Sequence, residues 1–427
     1  MNIKSLLLGS AAALIAVSGA RAADVVVAEP EPVEYVRVCD AYGEGYFYIP
    51  GTETCMRISG YVRADIKGGD NVGARKRGQI DRDTYAWRTR ATLRFHTASE
   101  TELGTLRTFI ELRSQWDEGA EWDGKGDSAS GQLRFAFIEL GGIRVGLDES
   151  IFNHWTGYFG NVINDDILTP MAYTRTNVIS YTFNAGNGFS AILGVEQGND
   201  ELSNASDYGY KYYSDIDDVA SRKHKLSGKI DDYTPNVVGG LKYVQGWGGV
   251  SVVGAYDAYY EEWAAKARLD LNVTDQWSVW VMGGYKSADD RYYGDDTYGS
   301  DAKVRSDGVK YGYKVRNDLT KYGIYRQVNS IYGDWGGDWA VWGGTTFKFN
   351  KKASFNAQVA YDDTDTFAAS VNVKYELVPG LVITPELTYI SWENDYSKRN
   401  EANTIKYVDS KKGQDAFQGM LRIQRSF

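Results

Sequence analysis

Arg88, Arg90 and Arg94 recur with His96 at even spacing along the stretch Tyr85 to His96. Successive side chains of an extended chain point to opposite faces, so these four share one side. Tyr85, Trp87, Thr89, Ala91, Leu93 and Phe95 share the other. Fixed charge in a row biases ions and polar solutes moving past it. Arg63, Arg107 and Arg113 sit in neighbouring stretches with the same alternation. A second concentration runs from Asp148 to Thr174 and holds Asp148, Glu149, Asp165 and Asp166 beside the aromatics Phe152, Trp155, Tyr158 and Phe159. Covalent chemistry has weaker support. His96, His154 and His224 are widely separated, and there is no H-E-x-x-H, no C-x-x-C and no phosphate-cradling glycine motif. His154 beside acids is the single hint of a catalytic base. Asp215, Asp217 and Asp218 lack EF-hand spacing and read as solvated loop. Neither enzymatic activity nor a cofactor or metal is expected.

The elements that position these residues are strands. Met56, Ile58, Gly60, Val62, Ala64 and Ile66 alternate without exception with Arg57, Ser59, Tyr61, Arg63, Asp65 and Lys67. Leu106, Ile110 and Leu112 alternate with Arg107, Glu111 and Arg113. Strands are expected at 56–67, 83–96, 103–113, 132–141, 143–147, 175–183, 188–197 and 237–245. Eight more fall at 249–260, 262–271, 276–286, 338–349, 352–361, 366–376, 380–392 and 415–427, which makes sixteen in all. Tight turns such as Gly141-Gly142, Gly246 to Gly248 and Asn350-Lys351 alternate with long polar stretches near 114–131, 148–174, 198–236, 287–337 and 393–414. A soluble sheet hides its apolar face under a second layer. A membrane barrel turns that face to lipid and the charged face to a water-filled interior, with turns on one membrane side and loops on the other. The expected fold is all-β: a transmembrane antiparallel β-barrel of sixteen strands, with short periplasmic turns and long extracellular loops.

Lys4, the apolar run Leu6 to Val17 and Ala20-Arg21-Ala22 together read as a secretory signal peptide over 1–22. Its removal takes away two basic residues and no acidic ones, which moves the formal charge from −10 to −12. A chain this acidic is unsuited to nucleic acid. Residues 23–55 are expected to form a periplasmic segment, ahead of the barrel over 56–427. An even pair of cysteines in an exported chain, Cys39 and Cys55, favours a disulfide over two free thiols or an incomplete metal site. Gly at 47 of 427 residues, 32 Tyr and 12 Trp against 7 Pro suit paired strands with aromatic girdles in lipid. The mean hydropathy of −0.43 does not argue otherwise, since only alternate residues of such strands touch lipid. The chain ends R-I-Q-R-S-F, and the terminal Phe427 resembles the signal read by the outer-membrane assembly machinery. Arg425 departs from that pattern.

The run Cys39-Asp40-Ala41-Tyr42-Gly43, then Ile49-Pro50-Gly51-Thr52-Glu53-Thr54-Cys55-Met56-Arg57-Ile58-Ser59-Gly60-Tyr61-Val62-Arg63, resembles the opening of the alphaproteobacterial general-diffusion porins. Phe137-Ile138-Glu139-Leu140-Gly141-Gly142 with Arg144-Val145-Gly146 is similar to their fourth and fifth strands. The resemblance implies a homotrimer in the outer membrane of a Gram-negative bacterium, with 148–174 folded into the pore as the constriction loop. Asp148, Glu149, Asp165 and Asp166 would then face Arg63, Arg88, Arg90, Arg94, Arg107 and Arg113 across a water-filled neck. Small hydrophilic solutes and ions would cross passively. The acidic net charge favours cations at the mouth while the arginine wall favours anions, and a cation preference is expected. Two other readings compete: a sugar- or anion-specific channel with Trp155, Tyr158 and Phe159 as an aromatic slide, and a plugged structural barrel.

Overall fold

The computed structural model describes residues 37–427 apart from 75–79, 83, 119–127, 158–159, 166, 172–174, 199–232, 259–260, 289–290, 295–300, 307–308, 315–323, 328–329, 394–410 and 412. Residues 1–22, read from the sequence as a leader, lie outside this set, as do Asp215, Asp217 and Asp218. Long period-two runs form the strands β1 Cys55–Gly69, β2 Ala86–Thr101, β3 Gly104–Glu118, β4 Ser128–Leu140, β5 Ile143–Asp148, β6 Thr176–Asn184, β7 Phe189–Glu196 and β8 Asn236–Gln245. The second half comprises β9 Gly248–Asp257, β10 Glu262–Asn272, β11 Trp277–Lys286, β12 Trp339–Lys348, β13 Ala353–Asp362, β14 Thr366–Val378, β15 Leu381–Trp392 and β16 Gln414–Ser426.

Each strand pairs antiparallel with its chain neighbours, and β16 closes on β1 from Tyr61↔Ser426 to Gly69↔Gln418. Phe427 extends this seam by exchanging both backbone hydrogen bonds with Gly60. Closure satisfies every strand edge, which lipid requires of a β structure. The alternation predicts the two faces correctly. Ile58, Val62, Trp87, Leu93 and Val281 are exposed on the outside, while Asp65, Glu111, Lys266 and Glu386 are buried inside. The expected location of all sixteen strands is matched.

Connections at 102–103, 141–142, 185–188, 246–247, 273–276, 349–352 and 379–380 are short and fall on one side. The other side carries the long ones, with two exceptions at 258–261 and 363–365. At the latter, Asp362 Oδ1 accepts from the backbone N–H of Thr364 (3.0 Å) and Thr366 (3.1 Å), and this Asx turn replaces a loop. The polar stretch expected over 114–131 is shorter than that, because β3 runs on to Glu118 and β4 begins at Ser128. Cys39 and Cys55 are disulfide-bonded with Cα atoms 6.1 Å apart. The bridge ties the two-residue strand Phe47–Tyr48 against Cys55 and Met56 at the periplasmic end. Closing a loop of this length stabilises by about 3 kcal/mol in the chain-entropy model.

The face assignment has a direct test. Val281 lies mid-strand on the outer face of β11, and arginine there costs ~2–4 kcal/mol in lipid. Val281→Arg is expected to lower the folded, heat-modifiable fraction on refolding. Ser278→Arg on the inner face of the same strand is expected to refold like the wild type. The opposite order would reverse the two faces.

Candidate pore constriction

The register of β16, β1, β2 and β3 assembles a charged wall. Arg63 lies directly across from Arg90, Asp65 from Arg88 and from Arg422, Arg90 from Gln115, and Arg94 from Glu111. Arg422 grips Asp65 with two hydrogen bonds of 2.6 and 2.9 Å, and Arg63 Nε lies 3.4 Å from the same carboxylate. Arg88 pairs with Asp117. Arg94 and Arg113 share Glu111 at 2.7 and 3.3 Å. Arg90 donates twice to the neutral Gln115 amide oxygen, at 2.7 and 3.0 Å. The wall therefore sets six guanidiniums against the three carboxylates of Asp65, Glu111 and Asp117, and it is net positive. Tyr61 sits within it, with the Arg63 and Arg94 guanidiniums 5.6 and 5.8 Å from its ring centre.

Arg107 stands apart from this group. It lies opposite Ala98 and Glu139, three residues from the start of β3, six residues and roughly 20 Å along the strand from Arg113. Its surroundings are the periplasmic mouth, where Tyr46, His96, Phe109 and Phe137 form a chain of ring contacts of 4.8–6.5 Å.

The segment between β5 and β6 begins inside the barrel because β5 stops after six residues. Its course is recorded in its bonds to inward-facing side chains. Ser150 Oγ and Ile151 N donate to Glu196 on β7, at 3.0 and 2.6 Å. The one-turn helix α1, Ile151–His154, is capped by the Ser150 hydroxyl. Ile151 and Trp155 fill space left by Gly194 and Gly240, where a Cβ would stand 2.4 Å from each. Lys242 then stacks 4.6 Å over Trp155. Further along, Gln358 accepts from Gly160 N, and Glu386 accepts from Ile163 N and from Asn164 N (2.7 Å). The Asn164 amide reaches Thr388 and Gln418 at 3.0 and 3.2 Å. On the return, Trp342 donates to Leu168 O and Lys266 to Pro170 O. The segment thus lines the inner wall from β7 round to β16, on the side away from β2 and β3.

Of its acids, Asp148 is buried and accepts from Arg144 at 2.6 Å, while Arg144 also holds Glu139. Glu149 and Asp165 are half-buried beside these anchors, and Asp166 lies outside the described residues. Tyr158 and Phe159 also lie outside them; Trp155 is packed against the wall and is not displayed to solutes. His154 Nδ1 donates to the Glu149 and Ser150 carbonyls at 3.3 and 3.2 Å. Burial pushes its imidazole below the ordinary value, against the pull of Asp148. This is a helix-bracing histidine.

A model described as the porin subfamily matches residues 24–420. The chain belongs to the porin family. The porin is 48% identical over 435 residues to porin Omp2b of Brucella suis, with both chains covered in full. It is 47% identical over 436 residues to porin Omp2b of Brucella abortus (strain 2308), again in full. Among solved structures, the outer membrane channel DcaP of Acinetobacter baumannii shares the fold, with a TM-score of 0.53 at 16% identity, covering 89% of the porin and 99% of DcaP. The porin is accordingly a multi-pass β-barrel of the Gram-negative outer membrane, through which small hydrophilic solutes and ions diffuse passively. The residues that sequence reasoning missed are the wall's own carboxylates, together with Arg422, Glu196 and Glu386. Their faces were readable from alternation, but cross-strand partners and barrel closure were not.

Proposed function

We propose that the neck of this pore lies between the arginine wall and the inserted segment. Arg63, Arg88, Arg90, Arg94 and Arg113, joined by Arg422, form one bank. Glu149 and Asp165 line the facing edge, while Asp148 acts through Arg144 to fix the root of the segment. The observation carrying this reading is that the segment's anchors run from β7 to β16, while Arg94 on β2 keeps 38% of its side chain accessible. Opposite charges across a narrow aqueous gap make a transverse field that orders water and polar solutes. Apolar solutes cannot replace that water at low cost. Arg107, at the periplasmic mouth, steers ions without sieving them.

The chain catalyses no reaction and works as a homotrimer, after removal of 1–22 and recognition of Phe427 by the assembly machinery. Its positive bank faces the lumen while its acidic surplus lies elsewhere, so the mouth enriches cations and the neck moderates their passage. The expected result in proteoliposomes is swelling that falls steeply with sugar size, from fast for monosaccharides to none for large oligosaccharides. Equal rates for all sugars would remove the neck from the account.

A further inference from the structure

We propose that residues 330–338, the last stretch before β12, form a clasp that sets the position of the constriction segment, with Tyr332 and Glu196 as its positioning residues. This rests on the reading that the segment lines the neck. The stretch belongs to a connection that sequence alone reads as polar loop, yet Ile331, Tyr332 and Trp335 are all but fully buried.

Its attachment to the barrel is specific. Asp257 Oδ2 at the end of β9 accepts from Ile331 N (2.9 Å) and Ser330 Oγ (3.3 Å). Lys286 Nζ at the end of β11 donates to the carbonyls of Gly333 (2.9 Å) and Trp335 (2.7 Å). Gly336 N donates to Asp362 Oδ2 at the end of β13 (3.0 Å). The stretch is therefore fixed to the inner rim at three strand ends.

From that rim it holds both ends of the constriction segment. At the near end, the Tyr332 hydroxyl donates to Glu196 Oε2 at 2.9 Å, and the same carboxylate receives Ser150 Oγ and Ile151 N. The Tyr332 ring meets Phe152 edge-on at 5.5 Å. At the far end, Asp334 N donates to Met171 O at 2.9 Å. Trp335 packs edge-on against Trp342, which itself holds Leu168 O. A loop fixed along its middle can still pivot about its ends. The clasp removes that freedom, so two loops rather than one determine the opening.

Tyr332→Phe keeps the ring and removes only the hydroxyl. In planar bilayers its open-channel current is expected to show on the order of tenfold more time in displaced-loop sublevels, the population change that follows from loosening one buried hydrogen bond. Ion preference and thermal unfolding should stay as in the wild type, because the arginine wall and the strands are untouched. Asp257→Asn, which loosens the rim side of the clasp, should raise the same sublevels and serves if Tyr332→Phe fails to refold. Tyr361→Phe, which removes a hydroxyl bonded to Asp365 away from the segment, should be silent. Wild-type current records from both refolded clasp variants, or an equal effect from Tyr361→Phe, would overturn the clasp. Absence of conductance in the wild type would instead count against the pore itself.

Discussion

Replacing Arg63, Arg90 and Arg113 together by glutamine shifts the pore toward cations, raising cation permeability and lowering anion permeability by roughly threefold to tenfold each. A unit charge about 8 Å from a passing ion contributes ~0.5 kcal/mol in a water-like dielectric, and ~0.2 kcal/mol after screening at physiological salt. Three such charges give ~0.6–1.5 kcal/mol for a cation and the opposite for an anion, which is the stated factor on each ion. These three are the informative choice because their removal strands no carboxylate. Asp65 keeps Arg422, Glu111 keeps Arg94, and Arg90 leaves only the neutral Gln115. The barrel is therefore expected to refold normally. The reversal potential under a salt gradient reads the shift directly. Unchanged selectivity in the triple variant would return these arginines to ordinary lumen lining.

Glu386→Ala is expected to raise the size limit of the pore and to make its current unsteady. The side chain is buried on the inner face of β15 and accepts from Ile163 N, Asn164 N and the Asn372 amide. Its truncation leaves two backbone N–H groups of the inserted segment without an acceptor, at ~1–3 kcal/mol each. The total of ~2–6 kcal/mol is enough to populate a detached mid-segment. The strand ladder of β14, β15 and β16 does not involve this carboxylate, so the barrel persists. Sugars excluded by the wild type should enter proteoliposomes made with the variant. Glu386→Gln, which retains one acceptor oxygen, should fall between the two. An unaltered exclusion limit in a folded Glu386→Ala variant would mean that the segment does not define the opening.

Much of this architecture is legible in the residues. Period-two alternation identifies the faces of Met56 to Lys67 and Tyr85 to His96 because a barrel wall has lipid on one side and water on the other. Alternation also places Asp65 on the same face as Arg63. What it cannot supply is register. That Asp65 meets Arg88 on one side and Arg422 on the other depends on how the first and last strands close, and no local signal encodes this. The wall read as a plain row of arginines is for that reason partly neutralised by its own carboxylates. Ile331, Tyr332 and Trp335 were apolar marks in a polar stretch, but without strand or helix periodicity nothing tied them to the barrel interior. Glu386 and Glu196 look like any lumen acids until the inserted segment supplies the backbone N–H groups they receive.

The placement of the neck is tested most directly by single cysteines at Arg113 and Arg107. The two native cysteines are bridged to each other, so neither competes for a thiol reagent. A bulky cationic methanethiosulfonate added to Arg113→Cys in a planar bilayer should remove most of the single-channel current in discrete steps. The same reagent on Arg107→Cys, at the periplasmic mouth, should remove little. Full current after modification at Arg113→Cys, or a larger block at Arg107→Cys, would contradict a neck between the arginine wall and the inserted segment.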